Sequence, residues 1–284
     1  MSIVVTAATG ALGRLVVEEL LNRVPADHVA VVVRDKEKAA DLAERGVDVR
    51  IADYNDTAAL AAAFRAGDRV LLISGNEFGQ RVAQHTAVLE AAQAAGVAQF
   101  AYTGILGGPE ADFDVATEHR GTEQAILDSG IPYTFLRNGW YHENYTRDLS
   151  AVLEHSAVVG SAGEGRVASA ARADYAAAAA EVLTGEGHLN KVYELSGDTA
   201  WSFAEYAAEL SAQTGKEIAY HEVPAQEHLS ILTGAGVPEE FAAILVDADA
   251  AIARGRLAGT SGDLSRLIGR PTTPVAHAIT AALA

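Results

Sequence analysis

Two stretches of the chain carry residues that could do chemistry. The first is Thr6-Ala-Ala-Thr-Gly10-Ala-Leu-Gly13, a glycine turn between a β-branched run and an amphipathic segment. Gly10 and Gly13 let the backbone turn sharply and let a bound group approach it, while a helix starting there aims free N–H groups at that group. A phosphate is the favoured ligand, and a nucleotide the first candidate. The spacing is that of the dinucleotide fingerprint G-x-x-G-x-x-G, with Ala7 in the first position; a turn with only a packing role would look the same. The second stretch is Asn138-Gly-Trp-Tyr-His-Glu-Asn-Tyr145, whose aromatic and amide groups could stack on a planar molecule and orient it. Its bland alternative is that Trp140 and Tyr141 plug the base of a second lobe.

Composition narrows the chemistry. The 284 residues contain no cysteine, which removes disulfides, thiol nucleophiles and thiolate metal sites, so redox work needs a bound cofactor. The nine histidines form no close pair with carboxylates at ligand spacing, and no metal is expected. A formal net charge of −17 opposes docking on nucleic acid or anionic lipid. No apolar run approaches the roughly 20 residues that cross a bilayer, and no charged leader precedes the first strand, so a cytoplasmic location is expected. A homodimer and a monomer suit this surface equally.

The elements that must position these stretches read clearly. Residues 3–6, 28–33, 47–52, 69–73, 99–102 and 133–137 are apolar runs of strand length, separated by helical patterns such as 57–64, 81–95 and 117–129. Strand then helix, repeated, predicts a parallel doubly wound α/β sheet of Rossmann type over residues 1–150. Residues 151–284 are looser and predict a smaller C-terminal α/β lobe for substrate, with elements free to interleave with the first domain. In such sheets ligands sit outside the carboxyl ends of the strands. Arg34 ends the second strand and offers a fork for a 2′-phosphate, favouring NADP(H), while Asp35 leaves NAD(H) open; the lesser alternative is that Arg34 only starts a solvated helix. Asp53 ends the third strand, where it could accept from an adenine amino group, with Asn55 or Asp56 capping the next helix. Ser74, Gly75 and Asn76 end the fourth and could line the path of pyrophosphate and nicotinamide ribose. Thr103 closes the fifth. Asp174 is a plausible helix cap, and Arg172 could point back toward the cleft.

These residues, with Leu136-Arg-Asn-Gly-Trp-Tyr141, Ser169-Ala-Ala-Arg-Ala-Asp-Tyr175, Lys191-Val-Tyr-Glu-Leu195 and Leu267-Ile-Gly-Arg-Pro-Thr-Thr273, resemble the NmrA-like branch of atypical short-chain dehydrogenases over essentially the full length. Within it the chain resembles the bacterial type 2 NAD(P)H:quinone oxidoreductases, with triphenylmethane reductases as near relatives. The resemblance implies that Thr6, Ala7, Ala8, Thr9, Gly10, Ala11 and Leu12 cradle a pyrophosphate, that Arg34 meets the 2′-phosphate, and that Ser74 to Asn76 and Thr103 line the nicotinamide half. Asn138, Gly139, Trp140, Tyr141, His142 and Glu143, with Arg172, would border nicotinamide and substrate. The usual Thr-Gly-Ala-Thr-Gly start is Thr6-Ala-Ala-Thr-Gly10 here, and the added methyl is expected to crowd the turn.

The ordinary proton relay of short-chain dehydrogenases, a tyrosine four residues before a lysine, is missing; Tyr133 with Arg137 comes nearest. His119 occupies the place where some relatives carry a lysine, and could serve as an acid or be an idle surface histidine. A quinone suits this inventory because it accepts hydride directly and needs little acid–base machinery. An NADPH-preferring quinone reductase is the expectation, with Asn138, Tyr141 and His142 as polar contacts to the acceptor. Another planar electrophile, such as a triarylmethane dye, and a non-catalytic NAD(P)-sensing regulator are the alternatives.

Overall fold

The computed structural model describes residues 1–147 and 149–284. In chain order the first half runs β1 (Ile3–Thr6), α1 (Ala11–Leu21), β2 (Val29–Val33), α2 (Ala40–Glu44), β3 (Asp48–Ile51), α3 (Thr57–Ala63), β4 (Arg69–Leu72), α4 (Arg81–Ala95), β5 (Gln99–Ile105), α5 (Asp114–Ser129) and β6 (Tyr133–Asn138). Then come α6 (Glu143–Thr146), α7 (Ser150–His155), β7 (Ala157–Gly160), β8 (Arg166–Val167), α8 (Arg172–Thr184), β9 (Lys191–Leu195), β10 (Trp201–Ser202), α9 (Phe203–Thr214) and β11 (Ala219–Glu222). Four helices end the chain: α10 (Ala225–Gly234), α11 (Glu239–Ala253), α12 (Asp263–Ile268) and α13 (Val275–Leu283).

Seven strands form one sheet in the order β3-β2-β1-β4-β5-β6-β9, and every pairing in it is parallel. Parallel strands buried on both faces are predominantly apolar rather than alternating, which is why β1 and β2 read as near-continuous runs of Val, Ile and Ala, with Thr6 ending β1. Successive residues then serve opposite layers. Val5, Val31, Leu71 and Leu136 pack against α1, α2, α8 and α12, while Val4, Val32, Leu72, Tyr102 and Phe135 pack against α3, α4 and α5. The strand order reverses at β1, with β2 on one side and β4 on the other, and there the carboxyl ends open a crevice.

Residues 151–284 do two things. β9 pairs with β6, and α8 and α12 lie on the same face as α1, so all three complete the large sheet's layers. The remainder surrounds a separate core of Trp201, Phe203, Tyr206, Leu210 and Ile252, with β8–β10 and β7–β11 as two small sheets. β5 continues three residues past its expected end because it stays paired with β6 as far as Ile105 opposite Asn138. α10 lies outside the expected helices: Leu229 and Leu232 are only half-buried, Ile231 is exposed, and His228 is its one buried residue. No described helix is long and apolar enough to cross a membrane.

Candidate cofactor and substrate site

At the end of β1 the backbone oxygen of Ala7 accepts the Gly10 N–H at 2.9 Å and closes the turn. Ala7 holds φ +48°, the left-handed region where the fingerprint's glycine costs nothing and an L-residue costs about 1–2 kcal/mol. The alanine is thus accommodated, and its cost lies in backbone strain. Gly13 has no such freedom: a Cβ there would stand 2.4 Å from the Ala7 oxygen and 2.7 Å from the Ala8 Cα. Gly10 caps α1 in an extended conformation, with no side-chain cap and no acid in the first turn, so the leading N–H groups are left for an anion. Thr6 Oγ1 accepts the Ile73 N–H at 3.1 Å and ties the ends of β1 and β4 together.

The neighbouring strand ends sort the expected adenosine contacts. Arg34 is exposed and reaches Glu77 through Nη1 at 2.8 Å. Asp35 turns its carboxylate onto its own loop, accepting the Glu37 N–H at 2.9 Å. Asp53 accepts from the backbone and side-chain amides of Asn55, and Asp56 caps α3. Beside Thr6 and Arg34 lies Tyr54, whose buried hydroxyl finds no hydrogen-bond partner among the described residues; burial pushes its pKa up to about 12. A buried phenol without a partner after β3, beside Thr6 and Arg34, fits a nucleotide laid across these strand ends.

The loop after β4 is held from beneath. Ser74 N–H donates to Thr103 Oγ1 at 2.9 Å, Gly75 N–H to His85 Nε2 at 3.0 Å, and Arg81 Nε to the Gly75 oxygen at 2.8 Å. Asn76 stands exposed at its tip. Since His85 Nε2 accepts, its proton is on Nδ1 and goes to Thr122 Oγ1 at 3.0 Å, which passes its own to the Glu118 carbonyl. His119 is not a surface residue: it is buried and hydrogen-bonds the Tyr102 hydroxyl at 2.7 Å. Burial drives both histidines down to about 3. Arg81 and His85 were missed, although a signal existed: with Gln84 they are polar residues on the face of α4 that also buries Val88, Leu89 and Ala92.

These two histidines tie stability to pH. The folded state refuses their protons down to about pH 3, whereas the unfolded chain takes them up near 6.5, so their stabilisation is complete above 6.5 and is lost as pH falls. By about pH 5 each is expected to cost on the order of 2 kcal/mol. Urea unfolding at pH 7 and about pH 5 checks this: His85→Gln with His119→Gln should flatten the difference, and an unchanged slope would contradict it.

The stretch after β6 divides in two. Asn138 Nδ2 donates to the Tyr141 hydroxyl at 3.3 Å, and the Arg172 guanidinium lies over the Tyr141 ring at 4.6 Å. Burial raises the Tyr141 pKa, so the phenol stays protonated. The expected contact between His142 and an acceptor is corrected: His142 is buried, donates through Nε2 to the Thr273 oxygen and engages Ser169 Oγ through Nδ1, both at 2.8 Å. It is a tie to the C-terminal segment, kept neutral by burial. Trp140 and Tyr145 pack on the second core, with Tyr145 edge-on to Trp201. Gly139 allows the chain to pass Leu195 and Tyr175, since a Cβ would lie 3.0 Å from the Leu195 oxygen. Glu143 accepts the Arg172 N–H at the start of α8, and Asp174, expected to cap α8, instead accepts from Thr273 and Arg270.

Ser161, His228 and Asp249, in the smaller lobe, have the residue types of a nucleophilic triad. All three meet at His228 Nδ1, with the Ser161 hydroxyl and the Asp249 carboxylate each at 3.2 Å, so the imidazole cannot relay a proton between them.

The sequence profile of the NmrA-like family matches residues 1–252. The chain is 47% identical over 277 residues to quinone oxidoreductase 2 of Escherichia coli, covering 98% of this chain and 97% of that protein. The crystal structure of the NADPH-dependent quinone oxidoreductase from Escherichia coli complexed with NADPH matches with a TM-score of 0.97 at 46% identity, over 99% of this chain and 100% of that one. Triphenylmethane reductase of Citrobacter sp. complexed with NADP(H) matches with a TM-score of 0.95 at 43% identity, over 99% of this chain and 100% of that one.

Proposed function

The chain belongs to the NmrA-like family, and on that premise we propose that it is an NADPH-dependent reductase of quinones. The observation that carries this reading is the state of the histidines near the strand ends: His85, His119 and His142 are buried, bonded and neutral, so no imidazole acid serves the substrate. An acceptor that takes hydride onto carbon and gathers its proton from water fits such a site. The cofactor, when bound, supplies the hydride. Thr6 and the Ala7–Leu12 turn hold its pyrophosphate, Arg34 its 2′-phosphate, Asp53 and Tyr54 its adenosine, and Ser74, Gly75, Asn76 and Thr103 its nicotinamide half. Because Tyr141 Oη already accepts from Asn138, its own proton is free to meet an acceptor oxygen, with Arg172 stacked behind the ring. Gly139, Trp140, His142 and Glu143 are the scaffold of that wall.

The likeness to triphenylmethane reductase supports a second reading in which the planar acceptor is a triarylmethane dye. A panel of benzoquinones, naphthoquinones and one such dye separates them: quinones should lead in kcat/KM by about tenfold or more, and the reverse order would favour the dye. Arg34→Ala should weaken NADPH about tenfold and leave NADH within about twofold, as loss of a charge-assisted fork requires. Equal losses in a binding titration would sink that assignment.

A further inference from the structure

The arginine assigned above to the 2′-phosphate already has an anion. Arg34 follows β2 and Glu77 follows β4, the strands on either side of β1, so their 2.8 Å ion pair runs across the carboxyl end of β1 and its phosphate turn. Glu77 is not a wandering side chain. Its other oxygen accepts from Gln84 Nε2 at 2.7 Å, and Gln84 is buried on α4. The loop carrying Glu77 is pinned on both sides, by Gly75 N–H on His85 and by Gly79 N–H on Glu118 Oε1 at 3.0 Å. The carboxylate is therefore presented to Arg34 from a fixed position.

Resting on the Arg34 assignment, we propose that Glu77 is a specificity-determining residue: it competes for Arg34 and thereby restrains the preference for the 2′-phosphorylated nucleotide. An exposed pair of this kind is weak, so a phosphate displaces the carboxylate from Arg34 readily. The carboxylate then stays close by, because Gln84 holds it, and its negative charge opposes that of the phosphate. A ligand with a free 2′-hydroxyl meets neither effect. Glu77 thus lowers affinity for NADPH while leaving NADH alone, and salt screens the difference.

Equilibrium titration of NADPH and NADH by protein fluorescence, on the wild type, Glu77→Gln, Arg34→Ala and the double variant, tests this without turnover. Glutamine keeps the shape and a carbonyl for Gln84. Glu77→Gln should tighten NADPH by about threefold to tenfold with NADH within about twofold, and the gain should vanish in the Arg34→Ala background. Adenosine 2′-monophosphate against adenosine 5′-monophosphate should repeat the pattern. Unchanged or weaker NADPH binding in Glu77→Gln, with Arg34→Ala still lowering the NADPH/NADH ratio, overturns the role of Glu77 alone. If Arg34→Ala leaves that ratio unchanged, the Arg34 assignment falls and takes this inference with it.

Discussion

Gly13→Ala is expected to abolish tight cofactor binding and to destabilise the fold by about 2–3 kcal/mol. The added methyl would meet the Ala7 oxygen at 2.4 Å, the Ala8 Cα at 2.7 Å and the Ala7 carbonyl carbon at 3.0 Å, all of them backbone. No rotamer can yield, so α1 must back away from the turn or the turn must open. Either movement draws the helix's free N–H groups off the position where phosphate oxygens would lie, and charge-assisted bonds weaken steeply with distance. Gly10→Ala is the matched control. Its methyl meets only the Ala7 oxygen, at 3.2 Å, and its φ of −77° suits any residue. Urea unfolding of both variants should show a large loss for the first and a small one for the second, and an NADPH titration a large loss for Gly13→Ala; equal losses of stability would mean that Gly13 is not where the helix and the turn pack.

Glu123→Ala should cost about 3 kcal/mol, the lower end of the range for breaking a buried ion pair, because Arg137 keeps Glu194. Arg137 gives Nε and Nη2 to the two oxygens of Glu123 at 2.9 and 2.7 Å, and Nη1 to Glu194 at 2.7 Å, with little of either the arginine or Glu123 exposed. The pairing holds the guanidinium firmly in its charged form. Gly108 lies directly against it, where a Cβ would come within 2.1 Å of Cζ, and Glu194 also accepts the Gly107 N–H. The cluster therefore fastens α5, β6, β9 and the loop after β5 at one point. Glu123→Gln keeps an acceptor and should lose less in urea unfolding; a loss below about 1 kcal/mol for the alanine variant would show that solvent reaches Arg137 easily.

What was legible in the sequence follows from which patterns are local. The glycine turn and the alternating apolar runs depend on neighbours within a few residues, so β1 through β6 fell near their expected places. The fate of individual polar residues depends on partners far along the chain. His142 is fixed by Ser169 and Thr273, and no local pattern at Trp140-Tyr-His-Glu143 could announce a bond to residue 273. His119 faces inward because Tyr102, on β5, offers it a hydroxyl. Arg137, the nearest thing to a relay lysine, is consumed by two carboxylates from separate elements. Ala7 is the opposite case. Its departure from the fingerprint was plain, but only the φ angle shows that the turn keeps its shape with a strained residue in it.

The most direct measurement is a single turnover: protein saturated with NADPH, mixed rapidly with excess naphthoquinone, followed at the reduced-nicotinamide absorbance band. Complete loss of that band at one equivalent per site, many times faster than without protein, is the predicted result. NADPH that binds tightly yet keeps its absorbance in the presence of quinones and of a triarylmethane dye would contradict the reductase reading and leave a nucleotide-sensing role in its place.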